Sequence, residues 1–216
     1  MEDITVTSLE QVLPMDIEKR SFEIITEELG NREFPNEQES IIKRVIHTSA
    51  DFDYADNLCF SENVVALAKE AIQAGACIVT DTQMARAGIN KKSLAKFGGE
   101  VFCFIADEDV ALAAKERGIT RSAVSMEKAL GLDKNLIFAI GNAPTALVKL
   151  YEEIKNGAPK PKLIIGVPVG FVNVVQSKEL IMKLDVPYIV ARGRKGGSNV
   201  AAAICNALLY QMDKNR

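Results

Sequence analysis

The single histidine of the chain, His47, is the first residue whose chemistry suits catalysis. It lies at the end of a predicted helix, and Thr48-Ser49-Ala50-Asp51-Phe52-Asp53 follows with acceptors that can orient an imidazole ring. An unperturbed imidazole changes charge near neutral pH, so His47 can donate or accept a proton there. The alternative is a histidine stabilised by the dipole at a helix C-terminus, and residue type alone favours this alternative. With one histidine, multi-histidine metal sites such as HExxH are excluded.

A second candidate is the segment Arg192-Gly193-Arg194-Lys195-Gly196-Gly197-Ser198, here called the basic loop, which precedes the last predicted helix. Its glycines allow successive backbone N–H groups to face an anion, and the helix N-terminus adds partial positive charge. Arg192 and Arg194 can each bind a carboxylate through two N–H groups, while Lys195 adds a compact charge. The alternative is a solvated loop with Ser198 as the helix N-cap. Three adjacent cations exceed what a cap requires, so we favour anion binding. The loop matches neither Walker A nor GxGxxG, so a nucleotide phosphate is not indicated.

Three further segments are candidates for contacts with a ligand. In Thr120-Arg121-Ser122-Ala123, a substrate contact by Arg121 and a surface charge beside a Ser122 helix cap are about equally supported. Gly141-Asn142-Ala143-Pro144-Thr145 is predicted to start a helix, and its small residues would let a large ligand approach the backbone. Gly166-Val167-Pro168-Val169-Gly170-Phe171 offers an apolar wall, with a tight core crossover as the alternative.

These segments connect predicted apolar strands that alternate with predicted helices. Two N-terminal helices, beginning at Asp16 and Pro35, are followed by five predicted strands: Cys77 to Thr80, Val101 to Ile105, Leu136 to Ile140, Leu163 to Val167 and Tyr188 to Ala191. The helices predicted among them are Asn63 to Gln73, Lys91 to Phe97, Val110 to Lys115, Pro144 to Lys155, Lys178 to Leu184 and Ser198 to Gln211. Continuous apolar strands are typical of burial on both faces. The alternation therefore predicts an α/β protein of three α/β/α layers with a mainly parallel sheet.

The candidate segments follow predicted strands. Ligands of open α/β sheets bind beyond the carboxyl ends of the strands. The basic loop, the Gly141–Thr145 turn, the Gly166–Phe171 segment and the polar run from Asp81 to Gly88 all begin at such ends. We therefore expect them to converge on one edge of the sheet and to form the site there.

Length and composition narrow the class of protein. A chain of 216 residues suits a single domain, here taken as residues 1–216. The net charge of −3 argues against nucleic acid as a partner, so an anionic ligand needs a local basic cluster. We find neither a signal segment nor a run that could span a membrane, which predicts a cytoplasmic protein. The cysteines lack CxxC spacing and are predicted to be reduced core residues: Cys59, Cys77, Cys103 and Cys205.

Five motifs together resemble the precorrin-8X methylmutase family, also called cobalt-precorrin-8 methylmutases. They are Arg44-Val45-Ile46-His47-Thr48-Ser49-Ala50-Asp51-Phe52, Thr120-Arg121-Ser122-Ala123, Ala139-Ile140-Gly141-Asn142-Ala143-Pro144-Thr145-Ala146-Leu147, Pro168-Val169-Gly170-Phe171-Val172 and Arg192-Gly193-Arg194-Lys195-Gly196-Gly197-Ser198. The motifs occur in the family's order, and the resemblance extends from about Ser21 to the final helix.

The resemblance implies an isomerase of cobalamin biosynthesis that moves a methyl group from ring carbon 11 to ring carbon 12 of a contracted tetrapyrrole. It implies that His47 transfers a proton, that Ser21 contacts the substrate and that Arg121 contacts a substrate carboxylate. It also implies a homodimer that needs no cofactor, with cobalt, where present, as part of the substrate. Arg192, Arg194 and Lys195 are then expected to bind the carboxylates at the rim of the macrocycle.

One residue departs from the family pattern, since Gln176 stands where a glutamate is expected. This puts local detail in doubt if that carboxylate binds substrate or a partner arginine. Two other classes of function stay open: a non-catalytic corrinoid carrier, and a nucleotide-binding protein that uses residues 193–198. Turnover of the pigment would exclude the carrier, and affinity for tetrapyrrole but not phosphate would exclude the nucleotide-binding protein.

Overall fold

The computed structural model of the chain describes residues 10–213. These residues contain a six-stranded sheet in the order β1-β6-β5-β4-β2-β3. The strands are β1 Leu58–Phe60, β2 Cys77–Thr80, β3 Val101–Phe102, β4 Leu136–Ile140, β5 Leu163–Gly166 and β6 Tyr188–Ala191. Every neighbouring pair is parallel except β1 and β6, which are antiparallel. The prediction of a mainly parallel sheet is confirmed.

Helices cover both faces of the sheet. Between residues 10 and 213 they are α1 Ile17–Leu29, α2 Asn36–Ser49, α3 Tyr54–Asn57, α4 Val64–Gln73, α5 Gln83–Gly88, α6 Lys91–Ala95, α7 Glu108–Arg117, α8 Arg121–Leu130, α9 Pro144–Lys155, α10 Val174–Ile181 and α11 Ser198–Met212. The first core cluster joins α1, α2, α4 and α11 to one face, and the second joins α8, α9 and α10 to the other. The predicted three-layer α/β/α fold is confirmed; α1 and α2 correspond to the two predicted N-terminal helices, and the short α3 also precedes the sheet. None of these helices is long and apolar enough to cross a membrane.

Burial on both faces explains why the central strands are continuous apolar runs. Successive side chains of a strand point to opposite faces of the sheet. In β4, Ile137 and Ala139 therefore belong to the first core cluster, whereas Leu136, Phe138 and Ile140 belong to the second. Every residue of β2, β4 and β5 is buried, so no polar position interrupts the pattern.

The two edge strands differ from the sequence prediction. The pattern does not predict β1, which has three residues and only one fully buried side chain, that of Leu58. β3 ends at Phe102 rather than at the predicted Ile105. It pairs only with β2, and beyond it Phe104 packs against Val110 and Val124 in a separate small core.

Some helix starts also differ from the prediction, because caps and backbone conformation set them. Neither α5 nor α8 is predicted, and each begins after a threonine, Thr82 or Thr120, whose hydroxyl accepts an N–H of the first turn. Thr120 is therefore the cap of α8 in place of Ser122, which is buried. α10 begins at Val174, four residues before the predicted Lys178, after Asn173 in the left-handed conformation.

All four cysteines are unpaired, as predicted. Cys77, Cys103 and Cys205 are buried, whereas Cys59 is only partly buried on the edge strand β1. Burial raises the pKa of the Cys205 thiol to about 12.

The topology brings the predicted segments to one edge of the sheet. The carboxyl ends of β2 to β6 lie together because these strands are parallel. The start of the antiparallel β1 joins them, and the carbonyl of Asn57 accepts the N–H of Arg192 at 2.8 Å. We call this side the carboxyl edge.

Candidate active site

His47 lies in the last turn of α2, close to the carboxyl edge, and its side chain is exposed. Its imidazole stacks on the ring of Phe22 in α1, with centroids 5.3 Å apart and an angle of 12° between the planes. The helix ends at Ala50, which has a left-handed φ of 52° and donates its N–H to Ile46.

Phe22 is itself held in place by a cation. The Arg44 guanidinium lies 4.7 Å from the centre of the Phe22 ring and 5.3 Å from that of Tyr210. Arg44 also donates to the Glu18 carboxylate at 2.8 Å. The contacts with Tyr210 and Glu18 hold the guanidinium against the Phe22 ring, on which His47 stacks. The matched motif contains Arg44, but its spacing gave no sign of this role.

Ser21 precedes Phe22 and lies in the same corner as His47. Its hydroxyl donates to the carbonyl of Ile17 at 2.9 Å, an ordinary bond within α1 that leaves oxygen lone pairs free to accept. The corner is tied to α11 by Asn199, whose amide donates to the carbonyl of Thr48 at 3.4 Å.

The three cations of the basic loop are placed differently from one another. Arg192 donates to Glu179 of α10 at 3.1 Å. Lys195 bridges Asp51 at 2.7 Å and Asp53 at 2.6 Å, both in the segment that follows His47. Its ammonium group lowers the pKa of the Asp51 carboxyl, and the same hydrogen bonds raise the pKa of Lys195.

Arg194 is exposed, and its guanidinium lies 5.6 Å from the ring centre of Phe171, itself an exposed residue. Within residues 10–213 no carboxylate lies in ion-pair range of Arg194. The alternative of Ser198 as a cap is wrong, because Gly197 is the N-cap of α11 and Ser198 is its first residue.

The main chain of the basic loop packs closely against the segment after β5. The N–H of Gly197 donates to Val167 at 2.9 Å, and the N–H of Gly170 donates to Arg194 at 3.2 Å. A Cβ on Gly196 would collide with the carbonyl oxygen of Val167, so only glycine fits there. The Gly166–Phe171 segment and the basic loop therefore form one unit.

Asp81, at the end of β2, organises the turn after β4. Its buried carboxylate accepts the N–H groups of Gly141 at 2.9 Å, Asn142 at 2.8 Å and Ala143 at 2.6 Å. Burial raises the pKa of Asp81, and the three N–H donors oppose that rise. We call residues 141–143 the Asp81-held turn. A polar residue directly after a fully apolar strand is the signal in the sequence, but no residue type identifies its backbone partners.

Two hydroxyl pairs connect the segments of the carboxyl edge. The Thr82 and Ser198 oxygens are 2.8 Å apart, and so are those of Thr120 and Thr145. A Cβ on Gly141 would lie 2.7 Å from the carbonyl oxygen of Gly197, so the Asp81-held turn touches the basic loop directly.

Arg121 is the first residue of α8 and is exposed at the same edge, beside the Thr120–Thr145 pair. No hydrogen bond or ion pair of its guanidinium occurs within residues 10–213. His47 and Ser21 belong to the helix layer of α1, α2 and α11, whereas Arg121 belongs to the opposite layer. The structure thus places all the predicted site residues around one edge, in two groups across the end of the sheet.

A different cleft, of about 390 Å³, lies at the opposite, amino edge. It is lined by the end of α4 and by residues preceding β4, β5 and β6, among them Asn135, Lys162 and Pro187. The carboxyl edge has the N-termini of α9 and α11, the close approaches of Gly141 and Gly196 and the only histidine, so we place the chemistry there. In the described part of the chain, no three His, Cys, Asp or Glu side chains are grouped as metal ligands.

Comparison with known proteins agrees with this geometry. The precorrin-8X methylmutase family model matches residues 16–211. The cobalt-precorrin-8 methylmutase of Priestia megaterium is 48% identical over 202 residues, which cover 94% of this chain and 90% of that protein. The precorrin-8X methylmutase of Pseudomonas aeruginosa is 41% identical over 199 residues, with coverage of 91% and 95%.

The fold is similar to a solved structure as well. The precorrin-8x methyl mutase of Thermus thermophilus superimposes with a TM-score of 0.83 at 39% identity, covering 90% of this chain and 96% of that one. The chain belongs to the precorrin-8X methylmutase family and is an intramolecular methyl-transferring isomerase of cobalamin biosynthesis.

Proposed function

We propose that the enzyme moves a methyl group from ring carbon 11 to ring carbon 12 of precorrin-8 or of its cobalt-bearing form. The product is then hydrogenobyrinic or cobyrinic acid. The names of the relatives support this substrate, and they include both cobalt-precorrin-8 and precorrin-8X methylmutases. The observation that carries the proposal is the exposed imidazole of His47, stacked on Phe22 at the edge where the loops meet.

His47 is proposed as the proton donor or acceptor of the reaction. The Phe22 ring covers one face of the imidazole and limits its rotation, while its edge nitrogens stay available to a ligand. Proton transfer to the macrocycle would change its conjugation and lower the barrier to methyl migration. General acid–base catalysis of this kind contributes about 10²–10⁴-fold, so binding and shaping of the macrocycle supply the rest.

The cations of the carboxyl edge are proposed to bind the substrate carboxylates. Arg194 and Arg121 are exposed and lack a carboxylate partner within residues 10–213, so they can bind one without breaking an internal ion pair. Arg192 and Lys195 already bind carboxylates of the chain, and a substrate carboxylate would have to compete with these. Ser21 beside Phe22 is proposed to contact the same ligand.

We propose that the reaction needs no cofactor and that cobalt, where present, belongs to the substrate. The homodimer and the cytoplasmic location remain predictions.

Replacement of His47 by alanine tests the proposal. We expect His47→Ala to lose about 10²–10⁴-fold in single-turnover rate while its affinity for precorrin-8 stays within about threefold of the wild type. Affinity survives because the apolar face and the carboxylates of the macrocycle are bound by other residues. The rate is measured from the shift in pigment absorption, with the metal-free and the cobalt-bearing substrate in parallel.

Glu39→Gln is a suitable control, because it changes a partly exposed side chain of α2 whose partner is Lys43. It should leave rate and affinity unchanged. If His47 is only a structural residue at the helix end, His47→Ala should lower the melting temperature and keep its rate. A stable His47→Ala enzyme with the wild-type rate would end the proposal.

A further inference from the structure

Lys178 of α10 is a buried cation that the proposed reaction does not use. Its side chain has no exposed surface. The ammonium group donates to the carbonyl oxygens of Gly193 and Lys195, each at 2.8 Å. Both acceptors belong to the basic loop, so a helix on one face of the sheet reaches under the loop and holds it from below.

No carboxylate compensates this charge within the described residues. On α10, Glu179 is paired with Arg192, and across the loop Lys195 is paired with Asp51 and Asp53. On α9, which packs against α10, Lys149 is paired with Glu127, Glu152 and Glu153, and Lys155 lies over Tyr151. The adjoining strands β5 and β6 contain no acidic residue.

A buried ammonium without a counter-ion is a costly way to fill space. Its desolvation lowers the pKa of Lys178 to about 8. An apolar side chain of similar length would avoid that cost, as substitutions of buried ion pairs by apolar residues have shown. Lys178 therefore lowers the stability of the fold relative to an apolar residue. Its contacts with two carbonyl groups indicate that it serves the conformation of the basic loop.

The contacts fix the backbone on both sides of Arg194. The Lys178 ammonium group donates to the carbonyls of Gly193 and Lys195, and the N–H of Gly170 donates to the carbonyl of Arg194 itself. Three successive carbonyl groups are thus bound to the interior. The Arg194 side chain is left exposed above Phe171, the one cation of the loop without an ion-pair partner in the described residues.

We propose that Lys178 is a positioning residue: by holding the carbonyls of Gly193 and Lys195 it presents the Arg194 guanidinium to a substrate carboxylate. This inference rests on the proposed role of Arg194 in substrate binding. Lys178 does not touch the substrate. Its contribution is to prevent the glycine-rich loop from exploring other conformations, so less entropy is lost when the ligand binds.

The test compares Lys178→Met with the wild type at pH 7, using precorrin-8 as the substrate. We expect KM to rise about tenfold with kcat within about twofold, because an unfixed Arg194 weakens binding of substrate and transition state alike. The melting temperature should stay the same or rise, because a buried charge is removed. A merely structural lysine would give the opposite pattern, with lower stability and unchanged KM.

Arg194→Ala separates the inference from the function on which it rests. If Arg194→Ala raises KM and Lys178→Met does not, the positioning role is wrong and the carboxylate contact stands. If Arg194→Ala leaves KM unchanged, the contact is wrong and the positioning role fails with it. The double variant should have the KM of Arg194→Ala alone, since both changes remove one interaction.

The pH profile gives an independent measurement, should Lys178→Met fail to fold. Wild-type affinity should fall as the pH rises past about 8, where Lys178 loses its proton. Lys178→Arg keeps its charge at that pH, so its affinity should stay constant between pH 7 and pH 9. The affinity of Arg194→Ala should also stay constant over this range, because this variant has no guanidinium for Lys178 to position. An alkaline limb of unchanged depth in Arg194→Ala would contradict the proposal.

Discussion

The Asp81-held turn and the basic loop are neighbouring parts of the carboxyl edge, each fixed by one buried charge of opposite sign. Asp81 accepts three backbone N–H groups of its turn, whereas Lys178 donates to two carbonyl groups of its loop. The Asp81 donors precede α9, where the helix N-terminus adds positive potential. The Lys178 acceptors have no such support from a helix end.

Two equally buried charges are therefore not equally necessary for the stability of the fold. The Asp81 carboxylate has donors for both of its oxygens, so removing it leaves several buried N–H groups without an acceptor. Lys178 holds a loop in which Gly193 is partly exposed and Lys195 is exposed, so their carbonyls can turn to water when the lysine is removed. The first charge is therefore a requirement of the fold, and the second is a requirement of the loop conformation.

The largest effect should come from Asp81→Asn. The amide keeps one acceptor oxygen but turns its NH₂ toward N–H donors, so we expect a loss of about 4 kcal/mol in the free energy of unfolding. For a chain of this size that corresponds to a fall of about 8–16 °C in melting temperature. Asp133→Asn, at an exposed loop position, is the control and should change little. A fall in the melting temperature of Asp81→Asn no larger than the control's would remove the distinction between the two anchors.

The second prediction concerns Lys178 and has a somewhat smaller effect. The free energy of unfolding should depend on pH because this buried lysine changes its protonation. Burial lowers the pKa of Lys178 from 10.5 to about 8, so between these values the unfolded chain binds more protons than the folded one. The free energy of unfolding contributed by this residue therefore rises with pH through that window, by up to about 3 kcal/mol. Denaturant titrations at several pH values, with Lys178→Met as the reference, isolate this contribution.

Stability and substrate affinity should thus change in opposite directions above about pH 8, a combination that Asp81 cannot produce. A wild-type curve parallel to that of Lys178→Met across the window would mean that Lys178 is not a desolvated cation.

The sequence predicts the strands that form this edge much better than it predicts the buried charges, Asp81 and Lys178, that hold its loops. β2, β4 and β6 have the predicted bounds, because strands buried on both faces are uninterrupted apolar runs. The edge strand β1 was missed, since three residues on the border of the sheet leave no periodic pattern. The position of the basic loop follows from the parallel sheet alone, because the carboxyl ends of such strands share one edge.

Asp81 and Lys178 were not predicted as anchors, because their partners are backbone groups that no residue type reveals. The turn held by Asp81 lies 60 to 62 residues further along the chain. Lys178 was predicted only as the first residue of a helix, and charged residues there are ordinarily solvated. Likewise, three cations in one loop predict a basic patch, but not that two of them bind carboxylates of the chain itself.

The smallest effect concerns the link between the two anchored segments. The hydroxyl of Thr82, the residue after Asp81, pairs with Ser198 at the start of α11 and also caps α5. Ser198→Ala should cost about 1 kcal/mol or less, since it removes only the paired hydroxyl. Thr82→Val should cost about 1 kcal/mol more, because the cap is lost as well. The double variant should equal Thr82→Val alone, since the shared bond is lost only once.

Thr145→Ala is the matched control for this cycle, because it breaks the other hydroxyl pair of the edge, with Thr120. Combined with Thr82→Val it should be additive, as the two pairs share no partner. Denaturant unfolding of the single and double variants gives the coupling energies directly. Full additivity of Thr82→Val and Ser198→Ala would mean that the Thr82–Ser198 pair does not couple the two segments. The Asp81-held turn and the basic loop would then act on each other only through the close approach of Gly141 to Gly197.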